Sequence, residues 1–178
     1  MKRMLGKGLL SVKGEKMLEK LFLEMIAYYS GDPKRIQHFT KVHSYAKLIG
    51  EREQLSPEEL YILEAAAYTH DIGIKPAEEK YGSSEGKLQE QEGPAYAKEI
   101  LAQFPEVTAA EVDRICYLIA HHHTYNNINE IDYQILVEAD FLVNIMEDGL
   151  SKEAAIKAYH SIFKTTCGKM ICREMFGI

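Results

Sequence analysis

Apolar residues recur along this chain at intervals of three and four rather than two, so helices are expected almost throughout and strands almost nowhere. A first helix over Gly14–Tyr29 would carry Leu18, Leu21, Phe22, Met25 and Ile26 on one face. Asp32-Pro33 supplies an N-cap followed by a first-turn proline, predicting a helix over Pro33–Arg52. Ser56-Pro57-Glu58-Glu59 has the form of a capping box and opens a helix that should run to His70-Asp71 and be stopped by Gly73. The stretch from Lys75 to Gly93, KPAEEKYGSSEGKLQEQEG, is rich in charge, glycine and proline, and reads as a long loop with one short helical piece. Loops of that length tend to be lids or binding loops. Pro94 then begins a helix to Gln103. A second capping box, Thr108-Ala-Ala-Glu111, starts a helix that carries Val112, Ile115, Cys116 and Ile119 towards His121-His122-His123. Beyond the polar turn YNNINE, helices are predicted over Tyr133–Met146 and Lys152–Phe163. The fold class is therefore all-α: one helical bundle over residues 14–178, preceded by a flexible N-terminus over residues 1–13.

Composition narrows the possibilities without choosing among them. A chain of 178 residues with 46% hydrophobic content can build one sizeable core. A formal charge of -6 and the lack of a basic block argue against a duplex nucleic-acid binder or an anionic-membrane binder, but leave small phosphorylated substrates open. Cys116, Cys167 and Cys172 are odd in number and form no CxxC pair, which fits neither a disulfide framework nor a thiolate zinc site. A reducing cytoplasm is the expected setting. The apolar stretch near the N-terminus is interrupted by Lys13 and is too short for a signal peptide or a membrane span. The apolar first helix leaves room for a homo-oligomer.

Three polar residues interrupt the buried faces. Projected at 100° per residue, Phe39, Val42, Tyr45, Ala46 and Ile49 form one stripe, and His38 falls on it, with His43 at its margin. His70 aligns with Leu60, Leu63 and the alanines before it, while Asp71 sits at the helix end. Asp140 shares a face with Leu136 and Val143. Singly, each histidine has an ordinary explanation as a core imidazole hydrogen-bonded to a backbone carbonyl, and Asp140 could be a buried cap. A buried carboxylate without a partner costs several kcal/mol, however, and two inward histidines with two carboxylates make a nitrogen and oxygen ligand set suited to Mn, Fe, Co, Ni or Zn.

These residues resemble the HD-domain superfamily of metal-dependent phosphohydrolases. Its mark is a histidine, an adjacent His-Asp pair and a distant aspartate in an all-helical fold. His38 in HFTKV is similar to the family's H-x-x-[RK]-V helix, His70-Asp71 stands in THDIG, and Asp140 stands in VEADFLVNI. The separations of 32 (38 to 70) and 69 (71 to 140) suit such domains, and the resemblance spans about residues 33 to 150. It implies one or two divalent metal ions held by His38, His70, Asp71 and Asp140, with Asp71 also orienting water. It implies hydrolysis of a phosphate ester or anhydride of a nucleotide or other small phosphorylated metabolite, with Lys75, Lys80 or Lys87 neutralising phosphate charge.

Some members hold a second metal through further histidines. Here His122 and His123 point towards the side of Val112 and Ile119, as ligands of a second metal or as substrate contacts, while His121 turns away. Relatives often carry a histidine ahead of the glycine that opens the next helix; this chain reads QEQEG, so Glu92 would stand in as ligand or general acid/base. Two other classes compete with the hydrolase: a ligand-sensing or scaffold module that keeps the fold without turnover, and a di-iron oxygenase, which needs a complete second site. The segment KTTCGK superficially resembles a phosphate-binding loop, but it lacks the G-x-x-x-x-G-K-[ST] spacing and a preceding strand, and is read as a loop between short helices.

Overall fold

The computed structural model describes residues 4–178, and their side chains from Gly14 onward. Among the described residues there are nine α-helices, one 3-10 turn and no strand. The helices are α1 (Met4–Tyr28), α2 (Pro33–Arg52), α3 (Pro57–Thr69), α4 (Ile74–Tyr81), α5 (Gly86–Leu101), α6 (Ala109–Ile119), α7 (Ile131–Glu147), α8 (Lys152–Ser161) and α9 (Thr166–Phe176), with the turn His70–Gly73 between α3 and α4. The expected flexible stretch 1–13 divides in two. Residues 1–3 lie outside the described residues, and from Met4 the backbone already belongs to α1.

The sequence signals at helix starts correspond to real caps. Asp32 accepts from Arg35 N ahead of Pro33, and Ser56 and Thr108 each close a reciprocal capping box, with Glu59 and Glu111. Helix α3 is apolar around most of its circumference, with Ile62, Leu63, Ala65, Ala66 and Ala67 all buried, so it runs through the middle of the bundle and packs against α1, α2, α6 and α7. Its alanines keep those neighbours close. Helices α2 and α7 pack against each other as well, which sets the inward faces of His38 and Asp140 opposite one another.

The region from Lys75 to Gly93 is not a loop. It forms nearly all of α4 and the first half of α5, joined by a short link at Gly82–Glu85, and Pro94 lies inside α5 rather than at its start. Gly82, at φ +66°, is a true turn glycine that ends α4, but Gly73 and Gly93 are packing contacts. A Cβ on Gly73 would collide with the carbonyl oxygen of Gln89 and sit 2.9 Å from Gly93 N, and one on Gly93 would sit 2.6 Å from Ile119 Cγ2. Bare backbone at Gly73 and Gly93 therefore lets α5 lie directly on the 3-10 turn and on α6. Gly73 accordingly ends the turn but not the helical run, since α4 follows at once.

The tail is also more ordered than its sequence suggests. Helix α8 ends at Ser161, short of the predicted Phe163, and KTTCGK forms the approach and first turn of α9, where Thr165 caps Gly168 N. Buried Glu138 accepts from Thr165 N at 2.9 Å and from Thr165 Oγ1, so a carboxylate of this chain fills the anion position at that helix start.

Candidate metal centre

Four acidic or imidazole side chains converge where α2, the 3-10 turn and α7 meet. His38 Nε2 lies 3.2 Å from His70 Nε2, 3.3 Å from Asp71 Oδ2 and 3.2 Å from Asp140 Oδ1. His70 Nε2 lies 3.5 Å from Asp71 Oδ2 and 3.6 Å from Asp140 Oδ1. The far side of each ring fixes what faces inward. His70 Nδ1 is 2.9 Å from the carbonyl oxygen of Ala67, and His38 Nδ1 is 2.8 Å from Glu147 Oε2. Those oxygens only accept, so each Nδ1 carries a hydrogen, and each ring in its neutral form turns a bare Nε2 lone pair into the cluster. Two lone pairs and two carboxylates then face one another without a donor, and the buried Asp140 Oδ1 has no hydrogen-bond partner. Such an arrangement calls for a cation.

The electrostatics agree. Burial lowers the pKa of His38, but Asp140, Asp71 and Glu147 more than offset it and push it up to about 9. His70 is raised too: burial opposes, and Asp71 and Asp140 win. Burial would raise both aspartates, yet the histidines hold them well below the usual carboxylate range, Asp71 through His70, His122 and His38, and Asp140 through His38 and His70. Each group is thus biased towards having a positive charge beside it. A nitrogen and oxygen donor set of this kind suits a divalent first-row metal.

A second group shares Asp71. Its Oδ1 lies 3.5 Å from His122 Nε2, and Asp71, His122 and His123 bring ligand atoms within 4.8 Å of one another. The ring of His122 gives its Nδ1 hydrogen to the carbonyl of Ile119 at 2.7 Å, leaving a buried Nε2 with no hydrogen-bond partner. His123 reaches Gln89 Oε1 and the Tyr125 hydroxyl, each at 3.3 Å. Burial, together with His122, lowers its pKa to about 4, so it stays neutral and able to donate a lone pair.

The HD domain family model matches residues 35–159, a span that takes in His38, the His70-Asp71 pair, His122, His123 and Asp140. The chain belongs to the HD-domain family. Among solved structures, it is similar to a predicted HD superfamily hydrolase from an uncultured Thermotogales bacterium, with 23% identity, a TM-score of 0.62, and coverage of 91% of this chain and 84% of that one. A comparison with curated proteins gives no match.

Within this HD domain the sequence-predicted residues divide clearly. His38, His70, Asp71 and Asp140 come together, and His122 and His123 stand beside Asp71, while His121 turns away to stack on Tyr117 and reach its carbonyl. Glu92 does not join them. Although buried, it is engaged by Lys80, by the Tyr81 hydroxyl at 2.8 Å and by Gln91, and it belongs to neither ligand group. The α5 residue that reaches the second group is Gln89, and neighbouring Glu90 accepts from His123 N at 3.0 Å. Lys75 is likewise displaced from the expected role: its ammonium lies 5.2 Å above the Tyr28 ring. Of the three candidate lysines, Lys87 contacts a partner of His123, with Nζ 2.6 Å from both Glu90 Oε2 and Thr124 Oγ1.

Sequence reasoning missed Gln89, Glu90 and Glu147. The first two were assigned to a loop, and the third lies one residue beyond the predicted end of α7. Glu147 could have been found by extending the Asp140 face by seven residues. Two tyrosines at the end of α1 and just beyond it add support: Tyr29 Oη donates to the Asp71 carbonyl at 2.7 Å and Tyr28 Oη to that of Ile72 at 3.1 Å. The 3-10 turn is thereby held between α1 and α5, and it presents Asp71 to both ligand groups at once.

Proposed function

We propose that this protein is a metal-dependent phosphohydrolase that cleaves an ester or anhydride bond of a nucleotide or another small phosphorylated metabolite. The observation that supports this most is the donor-free convergence of His38 Nε2, His70 Nε2, Asp71 Oδ2 and Asp140 Oδ1. A divalent ion held there would supply Lewis acidity, lowering the pKa of water towards neutrality and polarising a phosphoryl oxygen. The chain's own residues contribute the rest. Asp71 offers Oδ2 to the first group while its Oδ1, turned to His122, can orient water. His122 and His123, whose ligand atoms lie within 4.8 Å of that of Asp71, would hold a second ion or contact the phosphoryl oxygens. Lys87, with its side chain largely exposed beside Thr124 and Glu90, can exchange those partners for an incoming phosphate.

The test combines metal content with turnover. Protein purified without chelator or affinity metal is measured by elemental mass spectrometry and assayed against a panel of nucleoside mono-, di- and triphosphates and sugar phosphates, with Asp71→Ala alongside. Expected are one or two transition ions per chain in the wild type, fewer in the variant, and phosphate release that falls by at least a hundredfold in Asp71→Ala. Bound metal without release from any panel member would instead favour a sensing or scaffold role. No uptake of Mn, Fe, Co, Ni or Zn would overturn the metal reading altogether.

A further inference from the structure

The three buried histidines of the centre are not backed in the same way. His70 and His122 give their Nδ1 hydrogens to neutral backbone carbonyls, of Ala67 and Ile119, whereas His38 gives its own to a carboxylate, Glu147 Oε2, at 2.8 Å. Glu147 is in turn engaged through its other oxygen by the ammonium of Lys41. The sequence explains the arrangement. His38 and Lys41 are one turn apart on α2, Asp140 and Glu147 are two turns apart on α7, and the two helices pack face to face. Two rungs result: His38 with Asp140, and Lys41 with Glu147, cross-linked by the bond from His38 to Glu147.

We infer that Glu147 is a positioning residue of the metal centre, holding the His38 ring in register and raising the donor strength of its Nε2, and that Lys41 acts through Glu147 rather than on substrate. This inference rests on the metal-binding part of the proposed function. Lys41 occupies the basic position of HFTKV, where exposed placement would suggest a phosphate contact; instead its ammonium is committed to a carboxylate that is mostly buried. Glu147 is thus held at both oxygens, Oε1 by the Lys41 ammonium and Oε2 by the His38 ring. An ionised carboxylate behind an imidazole both fixes the tautomer and makes the opposite nitrogen a better ligand, and loss of such partners commonly weakens metal binding about 10- to 100-fold.

The test uses Zn2+ alone, without substrate. Zinc affinity of the wild type, Glu147→Ala, Glu147→Gln and Lys41→Met is measured by competition with a chromophoric chelator, and circular dichroism checks that each variant is folded. The expected outcome is a zinc Kd about 10- to 100-fold weaker in Glu147→Ala. Glu147→Gln, which can still accept the Nδ1 hydrogen but carries no charge, should fall between the two. Lys41→Met should weaken zinc binding several-fold although it touches no ligand. Should Glu147→Ala fail to fold, the isosteric Gln variant and Lys41→Met carry the test. Wild-type affinity in both Glu147→Gln and Lys41→Met would overturn the positioning role while leaving the hydrolase reading intact. A wild type that binds no zinc or other divalent ion would overturn both.

Discussion

At the scale of single residues, burial of a charge is informative only once its partners are known. Glu64 and Asp140 are both buried carboxylates on core helices. Asp140 Oδ1 has no donor, whereas Glu64 is fully occupied: it lies 2.8 Å from His43 Nε2 and accepts from Lys47 Nζ at 2.9 and 3.0 Å. Glu64 is therefore a structural clamp between α2 and α3. Burial would raise its pKa, but His43 and Lys47 bring it below the ordinary value of 4.5. A depressed carboxylate contributes stability above its unfolded pKa and loses it as pH falls through the folded one. Glu64→Gln should thus cost about 1.5–3 kcal/mol at pH 7, and the gap to wild type should close on acidification below about pH 4.5. Urea unfolding at pH 7 and at pH 3.5 checks this; a gap independent of pH would refute the charged clamp. The same distinction explains what the sequence could reveal. His38 and Asp140 were legible because α2 and α7 begin and end within two residues of their predicted bounds, so helical projection put both side chains on the correct faces. The occupied Glu64 left no comparable trace, since periodicity says that a group is buried but not who meets it.

At the scale of elements, the α4–α5 region shows where sequence signals are ambiguous in principle. Glycine with charge and proline marks a loop when glycine is needed for its backbone freedom, but Gly73 and Gly93 serve for the space they leave. Gly73 has a φ that any residue adopts, -73°, so its requirement is purely one of contact with α5. Gly73→Ala should force α5 away from the 3-10 turn and cost about 1–3 kcal/mol, as overpacking of a close contact does. Because the obstruction is backbone rather than a flexible side chain, relief requires moving Gln89 and Gly93, and with them the α5 flank of the His122–His123 group. A fall in thermal midpoint together with weaker divalent-metal binding is expected in Gly73→Ala. Unchanged melting would show that the turn and α5 are not held in this contact. Pro94 was misplaced for a related reason: it is tolerated inside α5 although it forfeits one backbone hydrogen bond there.

For the whole molecule, the centre joins segments that are far apart along the chain. His38 comes from α2, His70 and Asp71 from the turn after α3, Asp140 from α7, and His122 from the turn following α6. An ion bound by these residues has no preformed site in the unfolded chain, so its binding free energy adds to folding stability. In its absence, stability must come from the rest of the fold while four inward acceptors repel one another or take up protons. At free metal about a hundredfold above its Kd the added stability is about 2.7 kcal/mol, which for a chain of this size corresponds to a rise of roughly 5–10 °C in thermal midpoint. Protein stripped with a chelator should therefore melt lower by about that amount and recover on adding Mn, Fe, Co, Ni or Zn, the metal that restores most being the one held best. Asp140→Ala should bind the ion far more weakly, and its midpoint should stay flat as metal is titrated. Equal recovery in Asp140→Ala would mean that the ion stabilises the fold from somewhere else, and flat melting of the wild type with all five metals would mean that the buried imidazoles and carboxylates serve one another through shared protons.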